Sequence, residues 1–203
     1  MEKEYNVEIE IAGSAAMFTR PDTGSSPVSY PAPTFSAAKG IFESIARLKS
    51  AYIRPMRVEI CAPIQYQRYT TNYGGPLRKS NQISGGNSYQ LIATILVDVC
   101  YRIYGMVEEI YKPTDVKTNH LHHLKEMFEW RRDRGKCYHV PCLGWKEFTP
   151  SYFGPFRDST KIEETIEKEE IPSMLFSVFN TEGQYRPVYK QNVLITKGVL
   201  IYA

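Results

Sequence analysis

The chain has 203 residues, of which 42% are hydrophobic and 23% charged, with 13 Gly and 13 Pro. That composition fits one sizeable globular domain with room for a small appendage, and it excludes a disordered, collagenous or coiled-coil chain. The net charge of +3 is too mild to mark a nucleic-acid binder by itself, so such a role must rest on where the charge sits.

Residues 5–11 alternate, with Tyr5, Val7, Ile9 and Ile11 on one face and Asn6, Glu8 and Glu10 on the other, which predicts a half-buried strand. Residues 20–33 carry Pro21, Pro27, Pro31 and Pro33 with Gly24 and read as a loop. Thr34 or Ser36 can cap a helix over 35–48, whose apolar positions Ala38, Ile41, Phe42, Ile45 and Leu48 leave Lys39, Arg47 and Lys49 near its ends. Residues 57–65 alternate again through Val58, Ile60, Ala62 and Ile64. From Gln67 to Ser88 the chain turns polar and glycine-rich, which predicts a long loop between two strands. Residues 91–104 give the strongest strand signal, with Ala93, Ile95, Val97, Val99, Tyr101 and Ile103 alternating against their neighbours.

After a turn at Pro113, Leu121, Leu124, Phe128 and Arg131 line one side of a helix over 118–134, with Gly135 as its C-cap. A further strand is expected near 145–148, followed by an acidic stretch from Asp158 to Glu170 and two β-rich runs over 174–180 and 187–202, with turns at Thr181-Glu182-Gly183 and Lys197-Gly198. The order strand, helix, strand, loop, strand, helix, strand is a split βαβ pattern. The expected fold class is therefore α+β: a ferredoxin-like (RRM-like) domain over 1–148, with a small C-terminal antiparallel β-sheet appendage over 149–203.

No apolar stretch reaches the roughly 18–20 uninterrupted residues of a membrane span. Met1-Glu2-Lys3-Glu4-Tyr5 runs directly into alternation, without the apolar core of a signal peptide. Cys61, Cys100, Cys137 and Cys142 are too few for a disulfide scaffold. A reduced, cytoplasmic protein with no membrane contact is expected.

All four histidines, His120, His122, His123 and His139, fall within 20 residues of one another. Lys112, Lys117, Lys125, Arg131, Arg132, Arg134 and Lys136 surround them, against Asp115, Glu126, Glu129 and Asp133. Imidazole can act as both general acid and general base near neutral pH, and neighbouring cations suit phosphodiester chemistry. The same residues also fit a solvated helix face. A zinc reading through Cys137, His139 and Cys142 lacks the paired-cysteine spacing of common structural sites. No nucleotide-cradling glycine motif occurs. An RNA reading places the Arg20-Pro21 loop, Tyr30 and Lys39 along a groove, with packing and surface roles as the alternatives for Tyr30 and Lys39.

The run Gly13-Ser14-Ala15-Ala16-Met17-Phe18-Thr19-Arg20-Pro21 is followed by Ser29-Tyr30-Pro31-Ala32-Pro33-Thr34 and by Ser36-Ala37-Ala38-Lys39-Gly40-Ile41-Phe42-Glu43-Ser44-Ile45. Together these resemble the opening of the CRISPR-associated Cas-five proteins, d subtype, of type I-C systems. The resemblance continues through Pro63-Ile64-Gln65, Tyr73-Gly74-Gly75, Met127-Phe128, Arg131-Arg132, Gly135-Lys136-Cys137 and Leu143-Gly144-Trp145-Lys146-Glu147-Phe148. It implies a ferredoxin-like domain followed by a small β-sheet domain. It also implies metal-free cleavage of precursor CRISPR RNA within the repeat, with retention of the 5′ handle in the Cascade complex and no cofactor.

The implied partners are the repeat RNA and its 5′ handle, the large and backbone subunits of Cascade, and target DNA indirectly. In the family a tyrosine and an adjacent lysine–histidine pair are catalytic. The histidine matches His123, the lysine position holds His122, and the tyrosine position holds Ala46. His123 and His122 are then the expected acid–base pair, with Lys125, Arg131 and Arg132 supplying charge and Arg20, Tyr30, Lys39, Arg47 and Lys49 binding RNA. The alternative is a non-catalytic subunit that grips the handle.

Overall fold

The computed structural model describes residues 4–73, 89–114, 118–179 and 183–202. In chain order the elements are β1 (Asn6–Ala16), α1 (Phe35–Ile45), β2 (Ala51–Ile60), β3 (Tyr66–Tyr73), β4 (Tyr89–Glu109), α2 (His120–Arg132), β5 (Tyr152–Gly154), β6 (Lys168–Phe179), β7 (Tyr185–Thr196) and β8 (Val199–Ile201). The architecture is mostly antiparallel sheet with few helices. The strands run β5-β1-β4-β2-β8-β7-β6, and β3 pairs with β4. Among the described residues, no helix is long and apolar enough to cross a membrane.

The alternation read at the start of the chain builds the centre of this sheet. Ile9 lies opposite Ile103 and Ile11 opposite Tyr101, all four buried. Thr34 is the cap of α1, its hydroxyl accepting the Ala37 N–H at 3.2 Å. Ser36, the other cap candidate, instead donates to the carbonyl of Phe176 on β6 at 2.8 Å. Ala38, Ile41, Phe42 and Ile45 form the buried face of α1, and Leu124 and Phe128 that of α2. The Phe42 and Phe128 rings meet edge to face at 5.5 Å. Gly105 makes room for this contact, because a Cβ there would stand 2.6 Å from Ile53 and 2.9 Å from Phe42.

The structure moves several of the expected boundaries. α1 stops at Ile45 rather than 48 because Ala46 turns to extended backbone, φ −142°. β2 spans 51–60 rather than 57–65: a register shift between Pro55 and Arg57 reverses the side-chain phase, so the earlier half of the strand does not continue the later alternation. Residues 67–73, expected as loop, belong to β3, which pairs from Tyr66 opposite Leu96 to Tyr73 opposite Tyr89. Its tyrosines and threonines favour strands but present no apolar face to read. The remainder of that expected loop, 74–88, lies outside the described residues.

No strand forms at 145–148. There the chain reverses, with Leu143 N–H donating to the Phe148 carbonyl at 2.8 Å and the Trp145 and Phe148 rings stacking at 5.9 Å. The edge strand is instead β5, three residues paired with Glu10–Ala12 and too short to show a period. β6 begins at Lys168, ahead of the expected 174. The Lys197-Gly198 turn forms with both residues at positive φ, while Thr181 and Glu182 of the other expected turn lie outside the described residues. β8 pairs with β7 on one side and β2 on the other, which carries the sheet through into the C-terminal hairpin.

The helix-free face of the sheet is partly covered. Glu10 was expected on a solvated face but is fully buried beneath residues 157–160. Its carboxylate accepts the Arg157 backbone N–H at 3.0 Å, Arg157 Nε at 2.6 Å, Thr160 Oγ1 at 2.8 Å and Arg102 Nε at 3.3 Å. Burial pushes this carboxyl up, but the four donors together outweigh it and hold Glu10 below the usual carboxylate range. Beside it, Tyr104 is flanked by Arg57 at 4.0 Å and Phe156 at 5.3 Å. That aromatic surface is therefore already occupied from within the chain.

Candidate functional site

Asn119 organises the start of α2. Its side-chain oxygen accepts the N–H groups of Leu121 and His122 at 3.0 and 3.2 Å, and its amide donates to the Tyr5 hydroxyl at 2.9 Å. His120 turns inward, with Nε2 3.2 Å from Glu109 Oε2. His122 pairs with Glu126 at 3.0 Å, and its ring lies 5.9 Å from that of Tyr5. His123 is exposed, and among the described residues its side chain makes no hydrogen bond, ion pair or ring contact. Consecutive helical residues project about 100° apart, so the two histidines do not face one another.

The cations assigned to this pair are engaged elsewhere. Lys125 pairs with Glu129. Arg131 Nη1 donates to the Ile45 carbonyl at 2.7 Å and so caps the end of α1. Arg132 Nη1 donates to the Glu8 carbonyl at 2.8 Å, and its guanidinium pairs with Asp133 at 2.8 Å. At about 1.5 Å of rise per residue, both arginines lie roughly 12 Å along α2 from His123.

His139 is separated from the other histidines. The N–H groups of Tyr138 and His139 both donate to the Ser44 carbonyl at 2.8 Å, and their rings meet edge to face at 4.3 Å. His139 lines a groove with Ser44, Cys142, Lys146 and Thr149. Among the described residues, no three His, Cys, Asp or Glu side chains converge on a position that could hold a metal.

Ala46 follows α1 directly and is 2% exposed, its N–H donating to the Phe42 carbonyl at 3.1 Å. A larger side chain would have to displace core. Ala46→Tyr is expected to lower stability by about 1–3 kcal/mol through overpacking, read as a lower melting temperature than that of the parent chain.

The second group of expected residues lies across the molecule, around a short turn of 3-10 helix at Pro21–Thr23. Arg20 pairs with Asp22 at 2.7 Å, and its guanidinium sits 6.0 Å from the Tyr30 ring. Tyr30 is 2% exposed. Its hydroxyl donates to the Ser173 carbonyl at 3.0 Å and accepts the Leu175 N–H at 3.1 Å, which ties the loop to β6. Arg20 and Tyr30 share a groove of ≈ 420 Å³ with Tyr66, Thr94, Glu169 and Pro172. Lys39 stands apart on α1, 3.7 Å from Glu43 and 4.9 Å from the Tyr52 ring. Arg47 and Lys49 are exposed after α1, without ion pairs among the described residues.

Tyr66 and Glu169 were not found from sequence. They come from β3 and β6, which are not neighbours in the sheet, and no local spacing links them.

A family model described as CRISPR-associated protein (Cas_Cas5) matches residues 7–185. The chain is 27% identical over 212 residues to a protein of Mannheimia succiniciproducens named CRISPR pre-crRNA endoribonuclease Cas5d, covering 93% of each. A crystal structure described as a CRISPR-associated protein superposes with a TM-score of 0.71 at 18% identity, over 98% of this chain and 91% of that one. A chain of a CRISPR RNA-guided surveillance complex superposes with a TM-score of 0.53 at 11% identity, over 95% of this chain and 89% of that one.

Proposed function

The chain belongs to the CRISPR-associated Cas5 family, d subtype, and from that premise we propose that it cleaves precursor CRISPR RNA within the repeat and retains the 5′ handle. The observation that carries this reading is the family match across residues 7–185, joined to a relative of nearly equal extent named as a pre-crRNA endoribonuclease. In this reading the chain is a subunit of a Cascade assembly, beside the large and backbone subunits. The order β5-β1-β4-β2 supports a ferredoxin-like reading of the first part of the chain, with α1 joining β1 to β2 and α2 joining β4 to β5. Counting β5 with that first part moves the proposed division from 148/149 to just after Gly154, with the smaller β-rich part following it.

The chemistry needs no metal in this reading. A base removes the proton of a ribose 2′-OH, whose oxygen attacks the adjacent phosphorus. The bond to the 5′-oxygen breaks, and an acid protonates that oxygen, leaving a 2′,3′-cyclic phosphate and a 5′-hydroxyl. His123 is the group we assign to proton transfer, because it is exposed and uncommitted. His122 is the second group, held in place by Glu126.

A second reading, a handle-binding subunit that does not cut, is favoured by a different observation. Ala46 offers no hydroxyl, and Lys125, Arg131 and Arg132 are already engaged.

One experiment separates the two. A labelled repeat hairpin is incubated with the protein in EDTA, and cutting and retention are followed together. Site-specific cutting with the 5′ handle retained supports the first reading, and tight retention without cutting supports the second. Binding is expected to weaken steeply between about 50 and 200 mM salt as phosphate contacts release counterions, and a flat response would overturn both.

A further inference from the structure

We propose that the groove between Arg20, Tyr66 and Glu169 is a guanine-reading subsite for an unpaired nucleotide; the proposal rests on the RNA reading above but concerns a different part of the molecule. The three side chains come from the loop after β1, from β3 and from β6, and they line one groove of ≈ 420 Å³.

Tyr66 is 46% exposed, so its ring offers a face on which a base can stack. Tyr30, the tyrosine singled out by sequence, has its ring in the core and its hydroxyl committed to β6. Stacking therefore falls to Tyr66.

Glu169 is half-buried, yet among the described residues its carboxylate accepts no hydrogen bond and makes no ion pair. Burial alone holds its carboxyl above the usual range, as expected of a carboxylate without donors. Polar groups removed from water without partners are costly, and one facing a groove is open to an incoming ligand. The phenol of Tyr66 is pushed up to about 12 by burial and then by the charge of Glu169, with Arg20 acting in the opposite direction. The ring, the carboxylate and the guanidinium therefore lie within one another's electrostatic reach.

A carboxylate is an acceptor with two oxygens side by side. The Watson–Crick edge of guanine presents two adjacent donors, N1–H and the N2 amine, whereas adenine and cytosine present one amine each and uracil one imide. A planar guanidinium, as in an arginine-bearing peptide, has the same two donors and also stacks on tyrosine. The RNA reading above decides between these ligands; Arg20, its charge partly balanced by Asp22, lines the same groove as a cation for the phosphate that accompanies a base, and the arginine amide stays as the competing chemistry of the test.

The test uses the full chain and guanosine, adenosine, cytidine and uridine 5′-monophosphates, with N-acetylarginine amide as the competing chemistry, each titrated calorimetrically. Guanosine monophosphate is expected to bind at least tenfold more tightly than the other three nucleotides, with inosine monophosphate, which lacks the N2 amine, between them. Glu169→Gln should abolish that preference while keeping the fold. Tyr66→Phe should keep it, and Tyr66→Ala should weaken binding at least fivefold.

The proposal is overturned if guanosine and adenosine monophosphates bind equally, if Glu169→Gln keeps the preference, or if the arginine amide binds more tightly than any nucleotide. Guanine preference in a protein that neither holds nor cuts repeat RNA would leave the subsite standing and overturn the processing role. Repeat RNA held and cut by a protein without guanine preference would do the reverse.

Discussion

His123→Ala is expected to lower the single-turnover rate of repeat cleavage in EDTA by about 10²–10⁴-fold, the usual worth of one positioned acid or base. Retention of the RNA is expected to change less than about threefold, because the role proposed for the residue is proton transfer rather than a phosphate contact. The structure singles out this histidine from its neighbours. His120 is turned toward Glu109, His122 is held by Glu126, and His139 is anchored at the end of α1. Only His123 combines exposure at the start of α2 with no side-chain partner among the described residues. His122→Ala should also slow cutting, whereas Glu126→Gln, which keeps the imidazole but removes its ionic partner, should have the smaller effect. Equal cutting by His123→Ala and the parent chain would move the chemistry to another residue.

Glu10→Gln is expected to destabilise the fold by about 3 kcal/mol, because the fully buried carboxylate binds Arg102 and Arg157 and its loss leaves their charges uncompensated. Arg157 is partly solvated, which keeps the figure toward the lower end of the range for buried pairs. For a chain of this length that corresponds to a melting temperature lower by about 6–12 °C. Acid should reproduce the loss in the parent chain. Glu10 has a lower value folded than unfolded, so its contribution is fully present above the unfolded value near 4.3 and disappears as pH falls through the folded one. The variant should lack that part of the acid-side slope. An unchanged melting temperature in Glu10→Gln would show that residues 157–160 are not held by this carboxylate.

The parts of the fold visible in the sequence are those where burial on one face writes a period. Val7, Ile9 and Ile11, the Ile41, Phe42 and Ile45 stripe, and Val99, Tyr101 and Ile103 pack as their spacing implies, whereas Leu96, expected outward, is buried and Val97 only partly so, beside Asp98 at positive φ. Three parts were hidden, each for its own physical reason. The phase reversal between Pro55 and Arg57 broke the pattern of β2, β3 is polar on both faces, and β5 pairs through only three residues. Glu10 shows the same limit from the other side: a carboxylate in an outward register reads as solvated until a distant segment closes over it. At the candidate site, the crowding of histidines between 120 and 139 was visible, but their division between the two ends of α2 was not. Of the groove expected along Arg20, Tyr30 and Lys39, the structure brings Arg20 and Tyr30 together and leaves Lys39 apart on α1. The groove's exposed ring and its unpaired carboxylate come from strands that only the assembled sheet brings together.

The seam at β8 has a consequence for how the chain is made. Its three residues lie between β2 and β7, yet they follow the end of β2 by about 140 positions. At a typical elongation rate of about 5–20 residues per second, the ribosome needs on the order of ten seconds to add them. Throughout that interval the outer rim of β2 presents unpaired amides and carbonyls, the kind of surface that recruits strands from neighbouring chains. A nascent polypeptide of this family member therefore carries a sticky rim until very late in its synthesis. Early termination anywhere after β2 and before β8 would leave that rim permanently open, so truncated products should be the aggregating fraction during expression.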